Sequence, residues 1–202
     1  MIAKRNRRAD AMWDSMLPAL AGLASSQASE RKASDALKNV DIVDLGIGYG
    51  DFMIKALRHG ANYVQGIEKN PDNIHTAINR LRRAGIGAER YRIYEADLSK
   101  KSDVNWVFSR SFDAGICTSV LPYLGIYADD LLRAMSVYCG LSIIECQYCG
   151  DGPGPAEIKG DEDMSHWLEE HWKSVQKIGS TDLDIRPASR SIWLCSAGKH
   201  DD

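Results

Sequence analysis

Asp44-Leu45-Gly46-Ile47-Gly48-Tyr49-Gly50 is the stretch on which the fold of this chain turns. It closes the apolar run Val40-Asp41-Ile42-Val43-Asp44-Leu45, which reads as a buried strand, and it precedes a helical segment over 51–60 that stops at Gly60. A glycine-rich turn between a strand and a helix sits at the C-terminal edge of a sheet. Glycines there permit positive φ and let a ligand come close to the backbone, while the following helix offers free N–H groups. A tight connection and a ligand-binding loop both satisfy the glycines alone, so the neighbouring segments decide between them.

Those segments alternate. Residues 62–67 read as a second strand, and Asn70-Pro71-Asp72 opens a helix that runs to about Ala84 and stops at Gly85. A third strand is expected over 90–94, a helix over 100–109, a fourth strand over 112–117, a helix near 128–138 and a strongly apolar fifth strand over 141–147. Such alternation implies right-handed crossovers, a mostly parallel sheet and helices on both faces. Beyond the turn-rich residues 151–160 lie a helical segment over 163–172 and two strands, over 175–178 and 191–195, joined by a polar stretch containing Pro187. No helix fits between those two, so they are expected to pair antiparallel. The expectation is α/β: a single sheet domain over 40–198, preceded by an N-terminal helical cap over 1–39.

Two carboxylates accompany the glycine loop. Glu68 ends the second strand, where a carboxylate accepts both hydroxyls of a ribose. Asp97 follows the third strand in Tyr94-Glu95-Ala96-Asp97-Leu98. Each alone reads equally as a loop residue, and Asp97 as the cap of the helix near 100. Together they place three features at the ends of three successive strands. The nicotinamide fingerprint G-x-G-x-x-G does not fit, because Asp51 stands where its third glycine belongs.

With an acidic residue ahead of G-x-G-x-G, the chain resembles the class I S-adenosylmethionine-dependent methyltransferases. The resemblance extends to Gly66-Ile67-Glu68-Lys69-Asn70-Pro71, to Glu95-Ala96-Asp97, and to Phe112-Asp113-Ala114-Gly115-Ile116-Cys117 with Ser119-Val120-Leu121-Pro122-Tyr123-Leu124. It implies a Rossmann-like seven-stranded sheet whose last strand is antiparallel, in keeping with the C-terminal hairpin. It also implies that S-adenosylmethionine is the cofactor. Asp44 would hold the amino group of the methionine moiety, and Gly46, Gly48 and Gly50 would allow close backbone approach. Glu68 would bind the ribose, Lys69 would flank the adenine, and Asp97 with the Leu98 backbone would recognise it. Cys117 would line the cofactor beside Thr118 and Ser119, although a buried, inert thiol is the plainer reading of that residue.

Methyl transfer from a sulfonium asks for alignment and desolvation, and for a base only when the acceptor carries a proton. No catalytic residue is assigned. Tyr123, Tyr148 and Asp151 are the candidate substrate-binding residues, with His166 behind them; packing and turn formation would equally account for them. The polar-Pro-Pro-aromatic signature of enzymes that methylate exocyclic base nitrogens is absent, since the chain reads Cys117-Thr118-Ser119-Val120. The Pro-Cys pair of cytosine-C5 enzymes is absent too. A small-molecule acceptor is expected, selected by residues 1–39 and 148–165.

Composition agrees without adding detail. The 202 residues are 44% hydrophobic and 26% charged, as in ordinary globular domains, and 25 basic against 28 acidic residues give a net charge of −3. Nucleic-acid binding by bulk positive charge is therefore excluded, and only a local patch could serve. Lys4, Arg5, Arg7 and Arg8, with Arg80, Arg82, Arg83 and Arg90, support RNA as a disfavoured second choice of partner; a disordered basic tail and a solvated helix face are their plainer readings. A methyltransferase with a protein acceptor, or a protein that binds the cofactor without catalysing transfer, would carry the same motifs. A small acceptor implies that removing residues 1–9 leaves turnover largely intact. The five cysteines read as reduced thiols, and Cys146-Gln147-Tyr148-Cys149 lacks the second pair that a zinc site needs. The apolar run over 16–24 is too short to span a bilayer and is broken by Pro18 and Gly22. Trp13, Met16, Leu17, Leu20 and Ala24 at helical spacing make it an amphipathic helix instead, and a cytoplasmic protein is expected.

Overall fold

The alternating segments assemble into three layers in the computed structural model, which describes residues 2–23, 33–147, 158–181 and 190–199. The strands are β1 (Asp41–Leu45), β2 (Tyr63–Glu68), β3 (Tyr91–Glu95), β4 (Phe112–Thr118), β5 (Cys139–Gln147), β6 (Trp172–Thr181) and β7 (Arg190–Gly198). They form one sheet in the order β3-β2-β1-β4-β5-β7-β6. β1 pairs parallel with β2 and β4, β2 with β3, and β4 with β5. β7 runs antiparallel between β5 and β6, as the short connection between the last two strands requires. Strand order reverses at β1, and the C-terminal ends of β1 and β4 therefore frame the crevice where ligands bind in open α/β sheets.

The helices are α1 (Ile2–Leu23), α2 (Asp51–Arg58), α3 (Pro71–Arg83), α4 (Lys101–Val107), α5 (Ala128–Tyr138) and α6 (Asp161–Glu169). α1, α2 and α3 share a core with Ile42, Val64, Ile116 and Ile143 on one face of the sheet. α4, α5 and α6 cover the other face, against Val43, Ile67 and Ile144. α3 begins where its sequence says it must. Pro71 stands in the first turn, and the Asn70 side chain accepts a hydrogen bond from the Asp72 N–H at 2.9 Å.

Four elements differ from the sequence-level expectation. α1 starts at Ile2 and so takes in the basic segment that reads as a tail. Its stripe of Ala9, Met12, Trp13, Met16 and Leu20 is buried against the sheet, each large side chain contributing roughly 1.5–3 kcal/mol. The helix lies close enough to β6 that a Cβ on Gly179 would stand 2.9 Å from Ser15 Oγ. α6 ends at Glu169, and Trp172 belongs to β6 instead. The acidic triplet Asp161-Glu162-Asp163 favours an earlier helix start, next to the positive end of its dipole. β6 and β7 also extend well beyond their apolar centres, because ladder hydrogen bonds continue where one face is polar. Among the described residues, no helix is long and apolar enough to cross a membrane.

Candidate functional site

The loop after β1 adopts the conformation its glycines permit. Gly46, Gly48 and Gly50 have φ of 72°, 52° and 75°, in the left-handed region. The N–H groups of Gly46 and Ile47 both donate to the Ile67 carbonyl, at 2.8 and 3.0 Å, which ties the loop to the end of β2. A Cβ on Gly46 would come within 2.3 Å of Val120 Cγ2, so that position has no room for a side chain.

Glu68 is buried beside the loop, held by backbone donors on both carboxylate oxygens. Gly48 N–H donates to its Oε2 at 2.9 Å, and the Lys69 and Asn70 N–H groups donate to its Oε1 at the same distance. Asp97, at the next strand end, accepts from the Ser99 hydroxyl at 2.7 Å and from the Ser99 N–H at 3.1 Å. The hydroxyl bond chiefly holds its carboxyl below the ordinary carboxylate range. Asp97 therefore makes a local turn, while Lys100 is the residue that precedes α4.

These strand ends surround a cleft of about 290 Å³. Gly46, Glu68, Lys69, Asp97, Leu98 and Tyr123 all line it, between apolar walls of Ile67, Ala96, Val120 and Leu124. A smaller pocket of about 140 Å³ adjoins it, sharing Gly46 and Ser119, and is lined further by Arg8, Gly48, Asp51 and Thr118. Asp44 lies at the end of β1, 1% exposed, and its Oδ2 has no hydrogen-bond partner among the described residues. Burial first, and then the charges of Asp51 and Glu68, push its pKa up to about 8. A buried carboxyl held protonated in this way would be favoured in its charged form by an ammonium group brought beside it. Together with the close-approach position at Gly46, this fits the amino-acid tail and nucleoside of S-adenosylmethionine.

Cys117 is a correction. The alternation of β4 turns it into the core, fully buried near Leu45, Ile144 and Cys146, and it lines neither cavity. Burial pushes its thiol well above the ordinary range, and Thr118 and Ser119 reach the opening instead. Gly50 is buried behind the loop, its Cα facing Ala77 of α3. Tyr123 is exposed at the cleft rim, His166 is exposed on α6 and lines neither cavity, and Tyr148 and Asp151 lie outside the described residues.

Four side chains that motif reading does not bring together meet on the far side of β4. Glu145, fully buried at the end of β5, accepts from Arg8 Nη2 at 2.6 Å and from the Ser119 hydroxyl at 2.9 Å. Arg190 lies 3.6 Å from the same carboxylate and donates to Ser119 Oγ at 2.6 Å. One signal is present in the sequence. Glu145 interrupts the apolar run Leu141-Ser142-Ile143-Ile144, and a charge inside a buried strand needs a cation beside it.

No protein-family model matches the chain, and no curated protein matches it in sequence. Solved structures do match its fold. The bifunctional kinase-methyltransferase WbdD superposes with a TM-score of 0.66 at 18% identity, over 95% of this chain and 39% of that one. The chain thus spans well under half the length of WbdD. Magnesium protoporphyrin IX methyltransferase (ChlM) from Synechocystis PCC 6803, solved with bound S-adenosylmethionine, gives 0.68 at 15% identity over 96% of this chain and 81% of that one. The N-terminal domain of EvdMO1, solved with S-adenosylhomocysteine, gives 0.64 at 15% identity over 95% and 80%. The fold is that of the class I methyltransferases.

Proposed function

We propose that this chain is an S-adenosylmethionine-dependent methyltransferase acting on a small molecule. The observation that carries the reading is the convergence of Gly46 of the glycine loop, Glu68 and Asp97 on one cleft, with Asp44 buried at the end of β1 just ahead of the loop. When bound, S-adenosylmethionine supplies a methyl group on a sulfonium, already activated for in-line displacement. The chain then has to orient, desolvate and hold. Glu68 is presented by three backbone N–H groups, and Ile67, Ala96, Val120 and Leu124 exclude water along the cleft walls. Ser119 and Tyr123 stand at the rim, next to any acceptor that enters.

A small acceptor is favoured by how the basic residues are used. Arg8 is committed to Glu145, Arg80 to Asp51 and the Tyr49 carbonyl, and Arg90 to the carbonyls of Leu57 and Ala61. These bonds draw three of the eight cations read as phosphate contacts into the fold. ChlM, which shares the fold, is named for a small-molecule acceptor. The test is calorimetry with S-adenosylmethionine and S-adenosylhomocysteine, followed by a labelled methyl-transfer screen over pooled metabolites, tRNA and peptides. Micromolar binding and label in the metabolite pool are expected. Absence of binding overturns the assignment; label in tRNA or peptides replaces the acceptor class; binding with no transfer to any pool points to a non-catalytic cofactor-binding protein.

A further inference from the structure

The segment that follows β4 displays apolar surface to solvent beside the cleft. Three of the eight large apolar side chains exposed among the described residues stand within five positions. They are Tyr123, Ile126 and Tyr127, at 70%, 87% and 42% exposure. The backbone that carries them is held in place. Leu121 and Leu124 are buried on either side of Tyr123. The N–H groups of Tyr123, Leu124 and Tyr127 donate to the carbonyls of Val120, Leu121 and Leu124, at 2.9, 3.1 and 3.1 Å. Gly125, with φ of 55°, lets the chain turn between the buried Leu124 and the exposed Ile126. Apolar side chains grouped on a fixed backbone at the mouth of a cavity mark a binding surface.

Continuity, volume and charge together say what covers it. Tyr123 and Leu124 line the cleft, so the patch begins at the cavity and runs out over its rim. Pockets that enclose a drug-sized ligand measure roughly 300–1,000 Å³. A cleft of about 290 Å³ and a neighbour of about 140 Å³ are therefore taken up by a nucleoside-bearing cofactor, and the body of an acceptor has to lie on the rim. The charges there are unsuited to an anion. Arg8 and Arg190, which reach Ser119, are paired with Glu145, and Lys101 is paired with Asp130. Asp129 and Asp130 open α5 directly after the patch, while Lys69 stands at the β2 end of the cleft beside Glu68.

We propose that Tyr123, Ile126 and Tyr127 form the acceptor subsite, and that the acceptor is an uncharged molecule whose apolar body lies across them with its accepting end toward the cleft. The proposal rests on the reading of the cleft as an S-adenosylmethionine site and narrows the class of its acceptor. Ile126 and Tyr127 set specificity through contact area alone.

The test titrates two fluorophores of one skeleton into the full chain, with and without saturating S-adenosylhomocysteine. N-phenyl-1-naphthylamine is uncharged, and 8-anilinonaphthalene-1-sulfonate adds an anion to the same rings. One equivalent of the uncharged probe is expected to bind, at least about 5-fold more tightly than the sulfonate, and S-adenosylhomocysteine should not displace it. Ile126→Ser should weaken it about 10-fold and Tyr127→Ser by a similar factor, with S-adenosylhomocysteine affinity unchanged in calorimetry. In the methyl-transfer screen, label should pass into the organic extract of the metabolite pool at neutral pH. S-adenosylhomocysteine binding without probe binding overturns this proposal alone, as does a probe affinity that both variants leave intact or that the cofactor product abolishes. Tighter binding of the sulfonate, or label confined to charged metabolites, overturns the acceptor class. A dimer in sedimentation that Ile126→Ser dissociates gives the patch to a second copy and overturns it as well. If S-adenosylhomocysteine does not bind, the cofactor reading fails and takes this proposal with it, whatever the probes do.

Discussion

The two halves of the strand-end crevice are built in different ways. On the β1–β3 side, every feature lies within a few residues of a strand end: the glycine loop, Glu68 and Asp97 are local and are held mainly by backbone donors and neighbouring turns. On the β4–β7 side, the groups come from the two ends of the chain. Arg8 and Arg190 meet at Glu145 and Ser119 across separations of 137 and 71 residues for the Arg8–Glu145 and Arg190–Ser119 pairs. A local site is legible as a motif, whereas an assembled one depends on which elements the sheet order places together. The assembled half is also the more exposed to failure, since losing one partner strands a buried charge.

Mutations that distinguish the halves sharpen this contrast. The largest effect is expected from Gly46→Val, where a left-handed φ and a 2.3 Å overlap with Val120 both oppose a side chain. Binding of S-adenosylhomocysteine should weaken at least about 100-fold, the equivalent of ~3 kcal/mol. Near-normal affinity in calorimetry would show that the loop is only a connection. Glu145→Gln attacks the other half. It leaves Arg8 and Arg190 beside a neutral amide in a buried site, and stability should fall by about 3 kcal/mol in urea unfolding. An unchanged midpoint would reduce the cluster to incidental contacts.

Asp44 gives the contrast a pH signature. Its folded pKa is raised from 3.8 to about 8, so the folded state holds this proton more tightly than the unfolded chain does. Its contribution to stability is fully present below about pH 4 and is lost as pH rises to about 8, beyond which it is flat. Asp44→Asn lacks that slope. Its stability relative to wild type should therefore rise between pH 5 and pH 7, by at most about 2.7 kcal/mol, read from urea midpoints at the two pH values. Parallel curves for the two proteins would contradict a buried, proton-holding Asp44. A smaller effect is expected at the rim. Asp97→Ala should cost about 10-fold in affinity for adenine-containing ligands, and an equal loss for a ligand without the base would assign Asp97 to the turn alone. The smallest belongs to the solvated face of α3, where Arg82→Ala should change stability by less than about 0.5 kcal/mol.

Legibility in the sequence follows the same division. The order of strands and helices, the antiparallel hairpin and the lining residues Gly46, Glu68, Lys69, Asp97, Leu98 and Tyr123 all rest on local periodicity and on turn residues with specific backbone needs. Cys117 escapes such reading because adjacency in sequence does not say which way the pleat points at the end of a strand, and here it points into the core. The first turns of α1 read as a tail because basic residues carry no periodic signal of their own. Their helical state depends on the buried stripe that follows them and on the ion pair with Glu145. The extra length of β6 is hidden for a related reason, since an edge strand with one polar face is held by its neighbour's ladder more than by its composition, and the ends of β7 lengthen by pairing in that same ladder.

By itself the sequence determined the layered α/β architecture and the half of the crevice built from the ends of β1, β2 and β3. Both arise from interactions between residues close along the chain: hydrophobic spacing, glycine at positive φ, and a carboxylate at a strand end. Only the tertiary structure decided that the N-terminal helix reaches the crevice and that Arg8, Ser119, Glu145 and Arg190 act as one cluster. A buried charge demands a partner of opposite sign, but it does not say where along the chain that partner lies; the strand order and the packing of α1 do.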